Sequence, residues 1–178
     1  PYFIKAEHNE ILDDEFHGQN GPLNVTKIRH ENRPTKDFVE TGSKIFGYND
    51  DFNGENQEGI GFYQTTQKDG KRCSAAKAYL VPCLDRENLT VMTETNVNKI
   101  IIENNKAIGV ECVNNKGEFF TINANKEVLL SSGAFGSPQI LLRSGIGPSD
   151  EIIKHNIEHV HNLPGVGKNL QDHIDYLS

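Results

Sequence analysis

The sequence predicts an α+β protein made of two unlike parts, and three stretches carry that prediction. From Leu89 to Ile122 the chain reads as β-structure, with apolar residues grouped between turn signals. Glu127–Gly147, EVLLSSGAFGSPQILLRSGIG, reads as a strand, a turn of small residues and a capped helix. The first half instead offers separated helices at Pro34–Phe46 and Ser74–Leu80 among short strands.

Taken in order, Pro1–Asp14 is an extended or helical entry with acidic residues. Phe16–Val25, FHGQNGPLNV, reads as a Gly-rich turn feeding a strand at Leu23–Val25. Pro34 starts a helix through Phe46, with Phe38, Val39, Ile45 and Phe46 apolar and Gly47 as its stop. Tyr48–Gly61 carries Asn49, Asp50, Asp51, Asn53, Gly54, Asn56 and Gly59, which invites comparison with a calcium loop. The order of ligands is not that of an EF-hand and no bidentate Glu stands twelfth, so a polar surface loop is expected.

Phe62–Thr66 alternates as a strand does, and Lys68-Asp69-Gly70-Lys71 is an Asp-Gly turn. Ser74 caps a helix holding Ala75, Ala76, Ala78, Tyr79 and Leu80, and Pro82 perturbs its end. Beyond it, Leu89–Met92 is an expected strand, Val97–Ile102 and Ala107–Val113 form a hairpin around Asn104-Asn105, and Glu118–Ile122 follows a turn. Val128–Leu130 is short and apolar enough for a buried strand. It opens onto Ser131, Ser132, Gly133 and Ala134, small enough for a ligand or second backbone to come close. Ser137 is the expected N-cap and Pro138 the first helical residue, with Gly145 and Gly147 ending that helix. Pro148–Glu151 begins another helix, whose C-terminal dipole Lys154 and His155 suit.

Composition limits the function. The chain has 178 residues, 35% of them hydrophobic, and a formal net charge of −7. That balance argues against nucleic acid, because phosphate binding needs clustered Lys and Arg. No apolar run approaches the roughly 20 residues that span a bilayer, and the first residues show no signal-peptide pattern. Cys73, Cys83 and Cys112 are isolated and in no CxxC spacing, so thiols in a reducing compartment are expected rather than a disulfide framework or zinc site. The start at Pro1 without Met, and an end that halts as a strand begins at Asp172–Ser178, lead us to expect a segment of a longer chain.

Candidate sites are few. His155, His159 and His161 are closely spaced, but Asn156 is expected to end the helix between them, and a closed metal site wants three or four convergent ligands. Gly165-Val166-Gly167 follows Leu163-Pro164 rather than a strand and lacks a third Gly, so it is a poor phosphate cradle. No Ser/His/Asp or Cys/His set can be assembled from spacing. The residues therefore supply no metal ligands and no catalytic group.

The wording of Gly133–Gly147, GAFGSPQILLRSGIG, resembles the second signature of the glucose–methanol–choline family of flavin oxidoreductases, and the likeness covers nearly the whole chain. Phe16-His17-Gly18 with Gly21-Pro22-Leu23, and Asp51-Phe52-Asn53-Gly54, are similar to the family's substrate-domain wording. Gly70-Lys71-Arg72 with Ser74-Ala75 and Ala78-Tyr79-Leu80 resembles its next block, and Val166-Gly167-x-Asn169-Leu170-x-Asp172-His173 a later loop. Within the family the wording most resembles that of choline dehydrogenase and related bacterial alcohol dehydrogenases.

The resemblance implies a fragment of a two-domain FAD/NAD(P)-binding-like α/β fold with an α+β substrate domain. Residues 1–86 would belong to the substrate-binding domain and 87–160 to the FAD-binding domain, with 161–178 a linker re-entering the former. It implies FAD as cofactor and hydride transfer from a small alcohol, choline-like or primary, to the flavin. Val97 matches the valine whose backbone contacts the adenine, and Gly133 and Ala134 match the turn packed against the FAD. The GxGxxG fingerprint would lie before Pro1 and the catalytic His after Ser178, a role His173 does not inherit. This segment alone is expected neither to hold FAD tightly nor to turn over alcohol. The implied location is the cytoplasm or the inner face of a bacterial membrane. The electron acceptor, membrane association and oligomeric state stay open. So do two rival readings, a non-catalytic binding module of the same fold and a different flavin amine or hydroxy-acid oxidase. The enzymatic reading further expects a sheet beneath the small-residue turn at Gly133.

Overall fold

Short hydrogen-bonded pieces dominate the first half and one long hairpin the second. The structure is a computed structural model that describes residues 1–174. The chain divides into two units, Pro1–Val91 and the part from Met92 onward. The expected strand start at Asp172–Ser178 lies in part outside the described residues.

In the first unit, helix α1 (Tyr2–Ala6) leads into strand β1 (Glu7–Asn9). Strand β1 pairs in parallel with β2 (Leu23–Lys27), which pairs antiparallel with β3 (Gln64–Thr65). Two glycines of the expected Gly-rich turn are steric requirements. A Cβ on Gly18 would fall 1.9 Å from the Ile4 carbonyl oxygen, and one on Gly21 2.2 Å from the Ala6 carbonyl carbon. Helix α2 (Arg33–Phe46) begins where Asn32 accepts the Thr35 N–H at 2.9 Å and stops at Gly47, whose φ is +80°. The Asp-Gly turn joins β4 (Gln67–Lys68) to β5 (Lys71–Arg72), with φ of 52° at Asp69 and 71° at Gly70, as a two-residue hairpin demands. Ser74 takes the Lys77 N–H at 3.3 Å, as expected, but the helix is a single wide turn over Ala76–Leu80 tightening into a 3₁₀ turn at Val81–Cys83. The strand expected at Leu89–Met92 is not formed, and no strand pairs with it among the described residues.

The loop expected at Tyr48–Gly61 is held by its own amides. Asn49 accepts from Asp51 N–H at 2.9 Å and donates to the carbonyls of Asn56 and Glu58.

The second unit is an antiparallel meander of β6 (Thr95–Glu103), β7 (Lys106–Asn114) and β8 (Phe119–Asn123). Asn104 and Asn105 turn the hairpin at φ of 50° and 61°. Helix α3 (Gly133–Arg143) follows, then β9 (Ile146–Gly147), α4 (Ser149–Lys154) and β10 (His161–Asn162), with β9 and β10 paired in parallel. Its apolar core is Ile100, Cys112, Ile140 and Ile152. The mixture of helices and largely antiparallel sheet is α+β, as expected.

Two expectations around α3 are corrected. Val128–Leu130 pairs with nothing among the described residues, and Leu129 is 81% exposed. β-Propensity becomes a strand only when a neighbour accepts its backbone bonds, and the meander ends at Asn123. The helix also begins at Gly133, ahead of the expected Ser137-Pro138 start. At φ +81° Gly133 bends the chain in a way residues with a Cβ rarely adopt. Ser137 Oγ instead accepts the Ser132 N–H at 3.0 Å, tying the approach to the first turn. Pro138 consequently lies inside the helix, where it has no N–H to give the Ala134 carbonyl.

Candidate functional site

Each expected cofactor-binding residue has a definite place. Val97 is half-buried on β6 opposite Cys112, and the register slips between Val97 and Lys99, leaving Asn98 as a bulge. β6 is an edge of its sheet. Gly133 and Ala134 are exposed at the N-terminus of α3. No heavy atom lies within 4 Å of where a Gly133 Cβ would stand, so its achiral backbone serves the turn while leaving open space above it. Ala134 lines a cavity of about 740 Å³ with Phe135, Pro138, Val166, Gly167 and Leu170 among its walls. The sheet expected beneath this turn is not formed among the described residues. The turn's exposure therefore contributes access, and no packed floor.

The rest of the signature is structural, which spacing alone did not reveal. Ser144 closes α3 onto the open edge of β6: its Oγ accepts the Ile100 N–H at 2.8 Å and donates to the Ile140 carbonyl at 2.6 Å. Gly145, at φ +78°, would place a Cβ 2.2 Å from the Glu158 carbonyl oxygen, and its own carbonyl accepts from Val160 and His161. A Cβ on Gly147 would meet Leu142 at 2.5 Å. The Ser-Gly-x-Gly ending thus locks α3, β6, β9 and β10 together and sets the direction in which the N-terminus of α3 points.

A second cluster was legible only as a motif. His17 of the Phe-His-Gly wording is 4% exposed. Its Nε2 meets Asp51 Oδ2 at 3.0 Å and its Nδ1 meets Glu7 at 3.3 Å, and Glu7 also accepts the Gly18 N–H at 3.0 Å. Asn9, 1% exposed, donates to Glu7 and Gln64 and accepts from Ile11 and Leu12. Burial, the largest single influence, would lower the His17 pKa. The hydrogen bonds and charges of Asp51 and Glu7 together outweigh it and hold the imidazole above its ordinary value. Set between two carboxylates that favour its charged form, His17 ties β1, the Gly-rich turn and the Tyr48–Gly61 loop into one body. Its ring nitrogens are both committed, so it is a fastening and not a base awaiting substrate.

The three neighbouring histidines land on different pieces. His155 caps the end of α4, Asn156 at φ +56° terminates it as expected, His159 faces Ser149 Oγ at 3.2 Å, and His161 lies in β10. Gly165-Val166-Gly167 forms a turn lining the cavity beside α3.

Comparison with known proteins decides the lineage. The model of the family described as GMC oxidoreductase matches residues 1–175. The chain belongs to the GMC oxidoreductases. Among GMC relatives it is 44% identical over 176 residues to an alcohol dehydrogenase [acceptor] of Pseudomonas putida, covering 97% of this chain and 32% of that protein. It is also 44% identical over 177 residues to the mitochondrial choline dehydrogenase of Homo sapiens, covering 98% and 30%. Among solved structures, pyridoxine 4-oxidase from Mesorbium loti superposes with a TM-score of 0.88 at 30% identity, over 97% of this chain and 34% of that one. An FAD-dependent oxidoreductase from Chaetomium thermophilum gives 0.89 at 26% identity, over 97% and 32%. The chain spans about a third of the length of the relatives it matches.

Proposed function

We propose that the protein containing this chain is an FAD-dependent oxidoreductase that takes a hydride from the CH–OH carbon of a primary or choline-like alcohol. The observation that carries this reading is the family match along residues 1–175, joined by 44% identity to both an alcohol and a choline dehydrogenase. FAD, when bound, supplies the hydride-accepting ring.

The residues present fit such a cofactor. The space above Gly133 is open, Ala134 adds one methyl to a cavity wall, and Val97 sits on an edge strand whose backbone can offer N–H and C=O to a purine. In this reading Val97 positions the adenine, and Gly133 and Ala134 let the dinucleotide pass close to the start of α3. Residues 1–86 are assigned to substrate binding, 87–160 to cofactor binding and 161–178 to a linker that re-enters the substrate domain. No group of this chain is assigned the proton transfer, which needs a positioned base.

The test uses the full-length protein. Purified material should be yellow with a flavin spectrum, and an alcohol panel including choline should reduce an added dye. Oxygen uptake measured beside dye reduction separates an oxidase from a dehydrogenase. Ala134→Leu should lower the bound flavin while leaving the circular dichroism spectrum intact. Colourless protein that no alcohol makes active, even after FAD is supplied, would overturn the reading. No helix is long and apolar enough to cross a membrane among the described residues, which leaves peripheral attachment to a membrane, like the cytoplasm, as a matter for fractionation.

A further inference from the structure

In a chain of net charge −7, one concave region of the first unit is locally positive. A groove of about 660 Å³ runs between the β4–β5 hairpin and the helical turn at Ala76–Leu80, with Lys68, Lys71 and Arg72 on one side and Lys77 on the other. Asp69 is the sole carboxylate in its lining among the described residues. None of the four cations takes part in an ion pair among the described residues.

The hairpin adds an independent observation. Lys68 and Lys71 are direct cross-strand partners, and like charges placed opposite one another destabilise a β-pair. The turn fixes them there, through the left-handed Asp69 and Gly70, and Asn24 anchors the hairpin to β2 by donating to the Gln67 carbonyl at 2.6 Å. Two lysines that the hairpin register sets opposite one another, with Lys77 also lining the groove, suit a ligand carrying several negative charges.

We propose that this groove binds a small phosphorylated anion through Lys68, Lys71, Arg72 and Lys77. A volume of 660 Å³ falls within the range of small-molecule sites. The chain's overall negative charge opposes an extended polyanion, which would have to lie along the surface beyond the groove.

Calorimetric titration of the full-length protein with inorganic pyrophosphate tests this. Saturable binding that weakens steeply with added salt is expected. Lys71→Gln and Lys77→Gln should each weaken it about tenfold or more, as loss of a charge-assisted contact does. Lys71→Arg should retain it, and Lys36→Gln, outside the groove, should leave it unchanged. Parallel titration with ADP separates the possible sources. Tighter binding of ADP identifies a nucleotide site, and equal binding identifies a polyphosphate site. Unchanged thermal melting and flavin content in the Gln variants keep the result separate from the flavin reading. No binding of pyrophosphate up to about 1 mM, or binding that a triple Lys68/Lys71/Lys77→Gln variant leaves within twofold, would overturn the proposal.

Discussion

The two units are held together by different physics. Buried polar residues fasten the first: Asn9, His17, Asn24 and Thr26 are all under 9% exposed, against Val39, Cys73 and Ala78 as its buried apolar residues. In the second, Ile100, Cys112, Ile140 and Ile152 are buried and Ser144 is the polar exception among the described residues. An apolar core gains with every methylene that leaves water and tolerates approximate partners. A buried polar network gains little net, yet loses heavily when one member is removed and the others are left unpaired. The first unit should therefore be brittle and sensitive to pH, and the second graded and indifferent to it.

His17→Ala is the sharpest way to break that contrast. It leaves Glu7 and Asp51 as partly buried carboxylates without their shared cation, a loss of about 3–5 kcal/mol. Hydrogen exchange, read segment by segment, should show β1, the Gly-rich turn and the Tyr48–Gly61 loop losing protection while β6–β8 keep theirs. The wild type should show the matching pH dependence. Because the folded pKa of His17 is raised, its contribution is complete below the unfolded value of about 6.5. It fades as pH rises through the higher folded value. Protection in the first unit that stays flat across that window would contradict the ion-pair account.

Ile152→Ala probes the other side. Ile152, the buried residue of α4, is 1% exposed, and truncating it should cost about 2–5 kcal/mol through lost burial and a residual cavity. The loss should be the same on either side of neutral pH and confined to α3, α4 and the β9–β10 pair. A pH-dependent loss would erase the distinction drawn between the units.

That distinction also explains what could be read in advance. The β4–β5 and β6–β7 hairpins were legible because Asp69-Gly70 and Asn104-Asn105 are local chemistry: each pair tolerates the positive φ that its turn requires. Helix α2 was legible from Pro34 and Gly47 for the same reason, although its Asn32 cap was not read. Val128–Leu130 looked like a strand by composition, but a strand is a relation to a neighbour that the run itself does not encode. The start of α3 was misplaced because Ser137-Pro138 imitates a helix start, while Gly133 supplies the real bend through a dihedral angle and no side-chain signal. The His17 cluster could not be assembled at all, since its partners lie 10 and 34 residues away and follow no period. The wording of Gly133–Gly147 pointed to the right family, although half of it proves to concern packing. Ser144, Gly145 and Gly147 meet protein atoms, whereas Gly133 faces open space.

Ser144→Ala tests that division within the signature and is the smallest of the expected effects. Ser144 is the polar exception in an apolar unit, so it should behave as the first unit's residues do, on a reduced scale. Removing its hydroxyl strands the Ile100 N–H in a buried setting, at a cost of about 1–3 kcal/mol. Restoring that bond requires an acceptor of the same reach, so Ser144→Cys should recover only part of the loss. The hydroxyl lies at the C-terminal end of α3 and Gly133 at the other, so the variant should loosen β6 around Ile100 first. In the flavin-loaded full-length protein, exchange at Ile100 should accelerate before flavin dissociates. If flavin is lost while Ile100 keeps its protection, then Ser144 acts on the cofactor directly, and the separation of the signature into a packing half and a binding half fails.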